Sequence, residues 1–270
     1  MRINIKLSKL NIISIAIVAC IGLIIAAAGG TIAYFTDAKD ITNVYTTTGV
    51  YITLTEAAVQ RDANGQVIRD ATGTPVIDPA NRISGKDLAD TSKVINDYGY
   101  VYPGMTIHKD PTIKNVGLDS IWVAAKIIIE DRPGDIGTIY GEQNGPICLT
   151  DLLTGGAIAP FDDGQTYGTW NGIEDVTYNE NYAIIQSYDA TTGIREFYIY
   201  FLNPLAKDGE IVIFDKMVID PSIDNTSIQN FANLKITVQA FGVQKFGFSD
   251  CYTAMGAAFK THFPSTAVSS

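Results

Sequence analysis

The chain has 270 residues, with 29 acidic against 19 basic side chains, a formal charge of −10 and 46% hydrophobic residues. A surface this acidic repels nucleic acid and anionic lipid, so a nucleic-acid-binding protein is excluded. Two histidines and three cysteines leave few groups for metal or nucleophilic chemistry.

The first residues carry Arg2, Lys6 and Lys9 and no acid before Asp37, and an apolar run over 12–28 follows, broken only by Ser14 and Gly22. A positive start, an apolar centre and small residues before a cut make the pattern of a secretory signal peptide. Thr31 and Ala33 take the small positions before the cut, which leaves Tyr34 or Phe35 as the new N-terminus. The run also reaches the lower limit of about 17 residues for a spanning helix. An uncleaved anchor is therefore the rival reading, with membrane contact through this segment alone. Ile17-Val18-Ala19-Cys20 has the form of a lipoprotein box, but lipidation of Cys20 would leave a greasy stretch at the start of the mature chain. Cleavage after Ala33 removes three basic residues and no acid, which takes the charge from −10 to −13.

The sequence divides into a signal peptide (1–33), an N-terminal arm (34–49) and a β-domain (50–270). The arm is polar, Thr-rich and extended in pattern. Val50, Ile52 and Leu54 alternate with Tyr51, Thr53 and Thr55 as in a half-buried strand. A small internal echo follows, RDANGQVI and then RDATGTPVI, in which Asn64-Gly65 signals a type I′ hairpin. Asp62 and Asn64 faintly suggest a calcium loop, but no closing Glu follows. Tyr98, Tyr100 and Tyr102 fall on one side of an extended segment, a spacing that could line a binding groove but better suits the rim of a sandwich.

After a turn at Pro103-Gly104, a strand over 106–116 leads into a second turn, Asn115-Val116-Gly117. The strand over 121–129 has one apolar face and a second with Trp122, Ala124, Lys126 and Ile128, so both faces are at least partly covered, as in a central strand. Residues 132–181 hold nine glycines and read as a long excursion with a helical turn near Leu149. Strands return over 196–202, 210–215 and 235–243. A helix over 249–259 closes the chain, capped by Ser249, with Cys251, Met255, Ala258 and Phe259 as its apolar stripe. Strands do not alternate with helices. The fold class is therefore all-β: a two-sheet, jelly-roll-like β-sandwich with a long Gly-rich loop and a short C-terminal helix.

Cys148 and Cys251 remain in an exported chain, where disulfides form. A bridge between them would stabilise by about 4 kcal/mol in the chain-entropy model, and two buried thiols are the alternative. His108 reads as solvated and His262 lies near the C-terminus. There is no HExxH, no GxSxG and no phosphate-binding loop. No catalytic residue, metal ligand or cofactor is assigned. Asn225-Thr226-Ser227 is a glycosylation sequon.

Several stretches together resemble the TasA/camelysin family of exported Gram-positive proteins. GGTIAYFTD with the Thr-rich arm and VYITLTE is similar to that family's signal-peptide end and first mature strand. YPGMTIHKDPTIKNVGLDSIWVAAK carries the matching Pro103, Gly104, Lys109, Asn115, Gly117 and Val123. FLNPLAKDGEIVIFDKMVI and ITVQAFGVQKFGFSD–AAF resemble later stretches of clostridial-type members.

The resemblance implies a jelly-roll protein cleaved by a SipW-type signal peptidase and then secreted or held at the cell surface. It implies self-association, or association with related matrix subunits, into biofilm fibres. There the freed arm, with Phe35, Val44 and Tyr45, completes the sheet of the next subunit. A monomeric surface or adhesion module is the alternative. A camelysin-type surface metallopeptidase is a second, and the chain carries no metal motif for it.

Overall fold

The computed structural model describes residues 36–40, 50–87, 90, 94–130, 149–158, 165–189, 191–223 and 234–264. These residues form an all-β protein in which every strand pairing is antiparallel.

The larger sheet has eight strands. Its members are β1 (Thr36–Asp40), β4 (Lys86–Asp87), β7 (Ile121–Glu130), β9 (Thr166–Trp170), β10 (Ile173–Tyr178), β11 (Tyr182–Asp189), β12 (Ile194–Phe201) and β15 (Lys235–Gln244). They lie in the order β4-β1-β15-β7-β12-β11-β10-β9. The second layer holds β2 (Ile52–Val59), β3 (Ile77–Ser84), β5 (Thr106–His108), β6 (Thr112–Asn115), β8 (Leu153–Thr154), β13 (Glu210–Val212) and β14 (Lys216–Val218).

That layer comprises two groups of strands, β13-β6-β2-β3 and β5-β14-β8, joined by a single register. Lys114 faces Glu210 and Thr112 faces Val212; further along, His108 faces Lys216 and Thr106 faces Val218. Between them Lys109 N–H donates to Asp215 O and Ile213 N–H to Pro111 O. Pro111 has no N–H to return, and the ladder is interrupted around it. The expected single strand over 106–116 is for this reason two.

Between the layers lies the main core. β2 contributes Ile52 and Leu54, and β7 contributes Ile121, Val123, Ala125, Ile127 and Ile129. Phe197, Ile199, Phe201, Val238 and Ala240 come from β12 and β15. The other face of the large sheet is also apolar around Trp122, Ala124, Tyr198, Tyr200 and Phe241, and carries the Lys126–Glu196 ion pair beside them. It is covered by helix α2 (Cys251–Ala258), through Cys251, Ala254 and Met255, and by Phe263 beyond it. Both faces of β7 are thus dry, as the sequence pattern requires. The helix begins at Asp250, not at the expected Ser249: the Asp250 side chain accepts from Thr253 N–H at 2.7 Å. Ser249 instead donates its hydroxyl to Asp250.

The Gly-rich stretch contributes more to the fold than a loop. Helix α1 (Leu149–Leu152), where a helical turn was expected, places Leu149 and Leu152 in the main core, together with Leu153 and Ile158. β9 and β10 extend the large sheet through a hairpin at Asn171-Gly172, where both residues have positive φ (50° and 80°). This is the type I′ turn that Asn-Gly sequences favour. At Asn64-Gly65, by contrast, only Gly65 has positive φ. The N–H of Gly65 donates to Asp62 O and that of Asp62 to Gln66 O, a tight turn followed by a left-handed glycine.

Phe241 is fully buried against Phe259 and Phe263, with ring centroids at 5.1 and 4.8 Å, whereas Phe246 is 89% exposed. Phe241→Ala is expected to cost about 3–5 kcal/mol in urea unfolding. Phe246→Ala should stay within about 0.5 kcal/mol of the parent.

Candidate functional site

Two features stand out: a strand slot at one edge of the large sheet, and a buried polar network at one end of the main core. In the slot, β1 pairs antiparallel with β15 from Thr36↔Val243 to Asp40↔Gln239. On its other side it pairs with β4 through Lys39↔Asp87 and Asp40↔Lys86 only. The arm expected to be free is docked on its own domain over these five residues. β4 reaches this sheet because the chain turns out of β3 at Gly85, whose N–H donates to Leu54 O. Close to the start of β1, Lys245 N–H donates to Ser120 O. The turns on either side of that bond expose Leu118 (72%) and Phe246.

The polar network grows from two inward-facing positions. Alternation along Val50, Ile52 and Leu54 brings Glu56 to the core side, and alternation along Ile107 and Ile113 does the same for Lys109. Both are buried, and Lys109 Nζ lies 2.6 Å from Glu56 Oε2. The other oxygen, Oε1, accepts from Asn96 Nδ2 at 2.8 Å and from the Tyr98 hydroxyl. Asn96 Nδ2 also donates to Ala57 O, and Asn96 Oδ1 accepts from Val59 N–H at 3.0 Å. Burial pushes the Glu56 carboxyl up, but the Lys109 ammonium and the hydrogen bonds from Lys109, Tyr98 and Asn96 outweigh it and hold it below the ordinary value. Burial, and then the Glu56 charge, push the Tyr98 phenol well above its ordinary value.

Beside this pair, Asp110 accepts from Ala57 N–H and from Arg82 Nη1. Arg82 also bonds Thr55 and Thr112, which ties β2, β3 and β6 together.

The internal echo holds the lid of this network. In each unit Asp Oδ1 accepts from the N–H groups two and four residues on: Asn64 and Gln66 at Asp62, Thr72 and Thr74 at Asp70. The preceding Arg crosses its own turn, Arg61 to Gly65 O and Arg69 to Gly73 O. The second guanidinium nitrogens then reach Asp97 O from Arg61, and Tyr98 O and Tyr100 O from Arg69. Gln60, Ile68 and Val76 close a ring of backbone bonds beneath the turns.

Gly99, at φ +70°, breaks the strand alternation that would align the three tyrosines. Tyr98 turns onto Glu56, Tyr100 lies exposed under Arg69, and Tyr102 donates to Thr72 O.

The residues carried by the family resemblance do not converge on one site. Lys109 belongs to the ion pair. Gly104, at φ +79°, makes the turn after Pro103, and its N–H donates to Ile219 O. Asn115 is fully buried; its Nδ2 donates to Asp119 O and Leu205 O, and its Oδ1 accepts from Gly117 N–H. Val123 lies in the core, and its carbonyl accepts from Cys251 Sγ at 3.1 Å.

Cys251 is a free, buried thiol on the sheet-facing side of α2, and burial pushes its pKa well up. Cys148 lies outside the described residues, but its neighbour Leu149 packs in the main core, on the opposite face of the large sheet from Cys251. Thr31, Ala33, Tyr34, Phe35, Val44, Tyr45 and the sequon at Asn225 also lie outside the described residues. His108 is exposed, as expected. His262 instead packs on Phe241, and burial lowers its pKa.

Among the described residues, no three His, Cys, Asp or Glu side chains are grouped to hold a metal ion. No helix there is long and apolar enough to cross a membrane. We found no match to the chain among protein-family models, curated proteins or solved structures.

Glu56 was not legible as the partner of Lys109, since 53 residues separate the two ends of the ion pair. Asn115→Ala would leave the buried Gly117 N–H without its acceptor and remove the Nδ2 bonds to Asp119 O and Leu205 O, although Leu205 O still accepts from Ile121 N–H. The stranded N–H costs about 1–3 kcal/mol, and chemical unfolding of the variant against the parent measures the loss.

Proposed function

We propose that the chain is an exported structural subunit of the cell surface or biofilm matrix, built as a jelly-roll sandwich, that assembles into fibres by passing its N-terminal arm to the next subunit. The observation that carries this reading is the docking of β1 on β15 in a defined register. The arm is a competent strand for this edge. An identical arm from another copy would make the same backbone bonds there, so exchange between the two costs little beyond entropy. Residues 41–49 separate β1 from Val50 and span at most about 3.3–3.6 Å each, which gives the arm reach towards a neighbour. With β1 withdrawn, the ten-residue β15 would present an unpaired edge, and such edges template strand addition.

Two further observations agree with it. The exposed Leu118 and Phe246 stand near the start of β1, where an adjacent subunit would find apolar contact. The apolar segment over 12–28 precedes the arm, so removal after Ala33 would free the end that moves. On this reading the protein acts outside the cell, and the signal peptidase is its partner during export.

The competing outcome is a monomeric surface module whose arm stays on its own domain. A tether of this length gives the arm an effective concentration of order mM in cis, so exchange needs high local protein concentration. The pair Asp40→Cys with Gln239→Cys separates the two, because these positions face one another in the β1–β15 ladder. Oxidation of concentrated protein is expected to give a ladder of covalent multimers on non-reducing gels, with filaments by negative-stain microscopy for a chain starting at Tyr34 and none for one starting at Gly49. A cross-linked monomer as the sole product overturns the assembly reading.

A further inference from the structure

We propose that Lys109, Asn96 and Glu56 form a self-generated covalent cross-link, an amide between Lys109 Nζ and Asn96 Cγ made with release of ammonia. The inference is independent of the assembly reading. It rests on the placing of an amine, a primary carboxamide and a carboxylate in one dry corner: Lys109 Nζ lies 2.6 Å from Glu56 Oε2, and Asn96 Nδ2 lies 2.8 Å from Glu56 Oε1. The amine and the carboxamide are thus neighbours across a single carboxylate. Bond formation needs Nζ to close to about 3–3.5 Å from Asn96 Cγ.

The surroundings suit the reaction. The orientation of the Asn96 amide is set on both sides, since Nδ2 faces Glu56 and Ala57 O while Oδ1 faces Val59 N–H. That N–H is aimed at the oxygen on which negative charge develops in the addition step, the placement by which backbone donors stabilise an oxyanion. The Tyr98 hydroxyl bonds the same carboxylate, and the strap carrying Asn96 and Tyr98 is tied down by Arg61 and Arg69. Glu56 and Lys109 are 3% and 7% exposed, so water competes poorly for the carboxamide carbon.

The steps balance without an oxidant or a co-reactant. Glu56 takes one proton from the Lys109 ammonium, which leaves a neutral amine and a carboxylic acid. The Nζ electron pair attacks Asn96 Cγ, and the carbonyl pair moves to Oδ1. Glu56 donates its proton to Nδ2 and takes one from Nζ; the Cγ–Nδ2 bond breaks, and ammonia leaves as the carbonyl re-forms. The ion pair becomes a neutral amide and a protonated Glu56. The buried charges, which are costly to hold away from water, are thereby removed. Glu56 is the catalytic residue, because it touches both reacting groups. The product would bind the strap at Asn96, which lies over the end of β2, to the chain between β5 and β6.

The test is peptide mass mapping of the purified full-length chain after trypsin and chymotrypsin. The expected result is that Lys109 resists trypsin, and that its fragment stays joined to the Asn96 fragment after cleavage at Tyr98 and Tyr100, the joined species being lighter by one ammonia. In Glu56→Gln and Asn96→Ala the fragments should separate at their full masses. Asn96→Ala leaves the ion pair in place, so it serves if the Glu56 variant does not fold. Folded wild-type protein whose Lys109 is cleaved normally, with Asn96 at full mass, overturns the proposal. So does an ammonia loss that maps to Asn64-Gly65, where a succinimide would give the same mass change.

Discussion

Strand β7 buries both of its faces over most of its ten residues and is hydrogen-bonded along both edges, to β12 and to β15. Water must be kept from two apolar surfaces at once, and the rest of the molecule is arranged around that requirement. The second layer covers the face of Ile121, Val123, Ala125, Ile127 and Ile129, and α2 with Phe263 covers the face of Trp122 and Ala124. Burial of each large apolar side chain stabilises by about 1.5–3 kcal/mol, so neither cover is dispensable. The C-terminal helix is consequently part of the fold and not an appendage. Its stripe of Cys251, Ala254 and Met255 lies on the sheet, and Asp250 caps its start.

A sandwich of this kind has open ends as well as covered faces, and the two ends are treated differently. At one, the inward-facing positions of β2 and of the β5–β6 chain carry Glu56 and Lys109 instead of more aliphatic residues. Such a pair loses hydration on burial and is tolerated only with every polar atom engaged. Asn96 and Tyr98 meet this condition for the Glu56 carboxylate, and Arg82 with Asp110 extends the network to the neighbouring strands. The two Arg–Asp turns of the internal echo then hold the strap in place. The echo is therefore a pair of clamps, each made of an Arg that spans its own turn and reaches the strap. At the other end, Asn115 pins the chain reversal at 115–119 and the return from β12 through Leu205, while Leu118 and Phe246 stay exposed.

Were the protein the extracellular structural subunit proposed, it would have to join its neighbours and also resist unfolding. Strand exchange concerns the edge of the large sheet, where β1 contributes backbone bonds that another copy could supply equally well. The cross-link concerns the polar corner, where a covalent bond would hold the strap against unfolding. Both use groups placed by the fold and require no ligand.

Alternation and composition were enough to identify the all-β class, the inward faces of β2 and β7, β12, β15 and the closing helix, because burial on a pleated strand follows a period of two that local sequence carries. The cap at Asp250, the hairpin at Asn171-Gly172 and the strands within the Gly-rich stretch were misjudged or missed, although an Asn-Gly turn signal was present in the last. Docking of β1 and the convergence of Glu56, Asn96, Tyr98 and Lys109 could come only from the tertiary structure. Pairing between residues 53 positions apart leaves no periodic trace in either segment, and a short polar strand such as β1 is chosen by the sheet that receives it, not by the preference of its own residues.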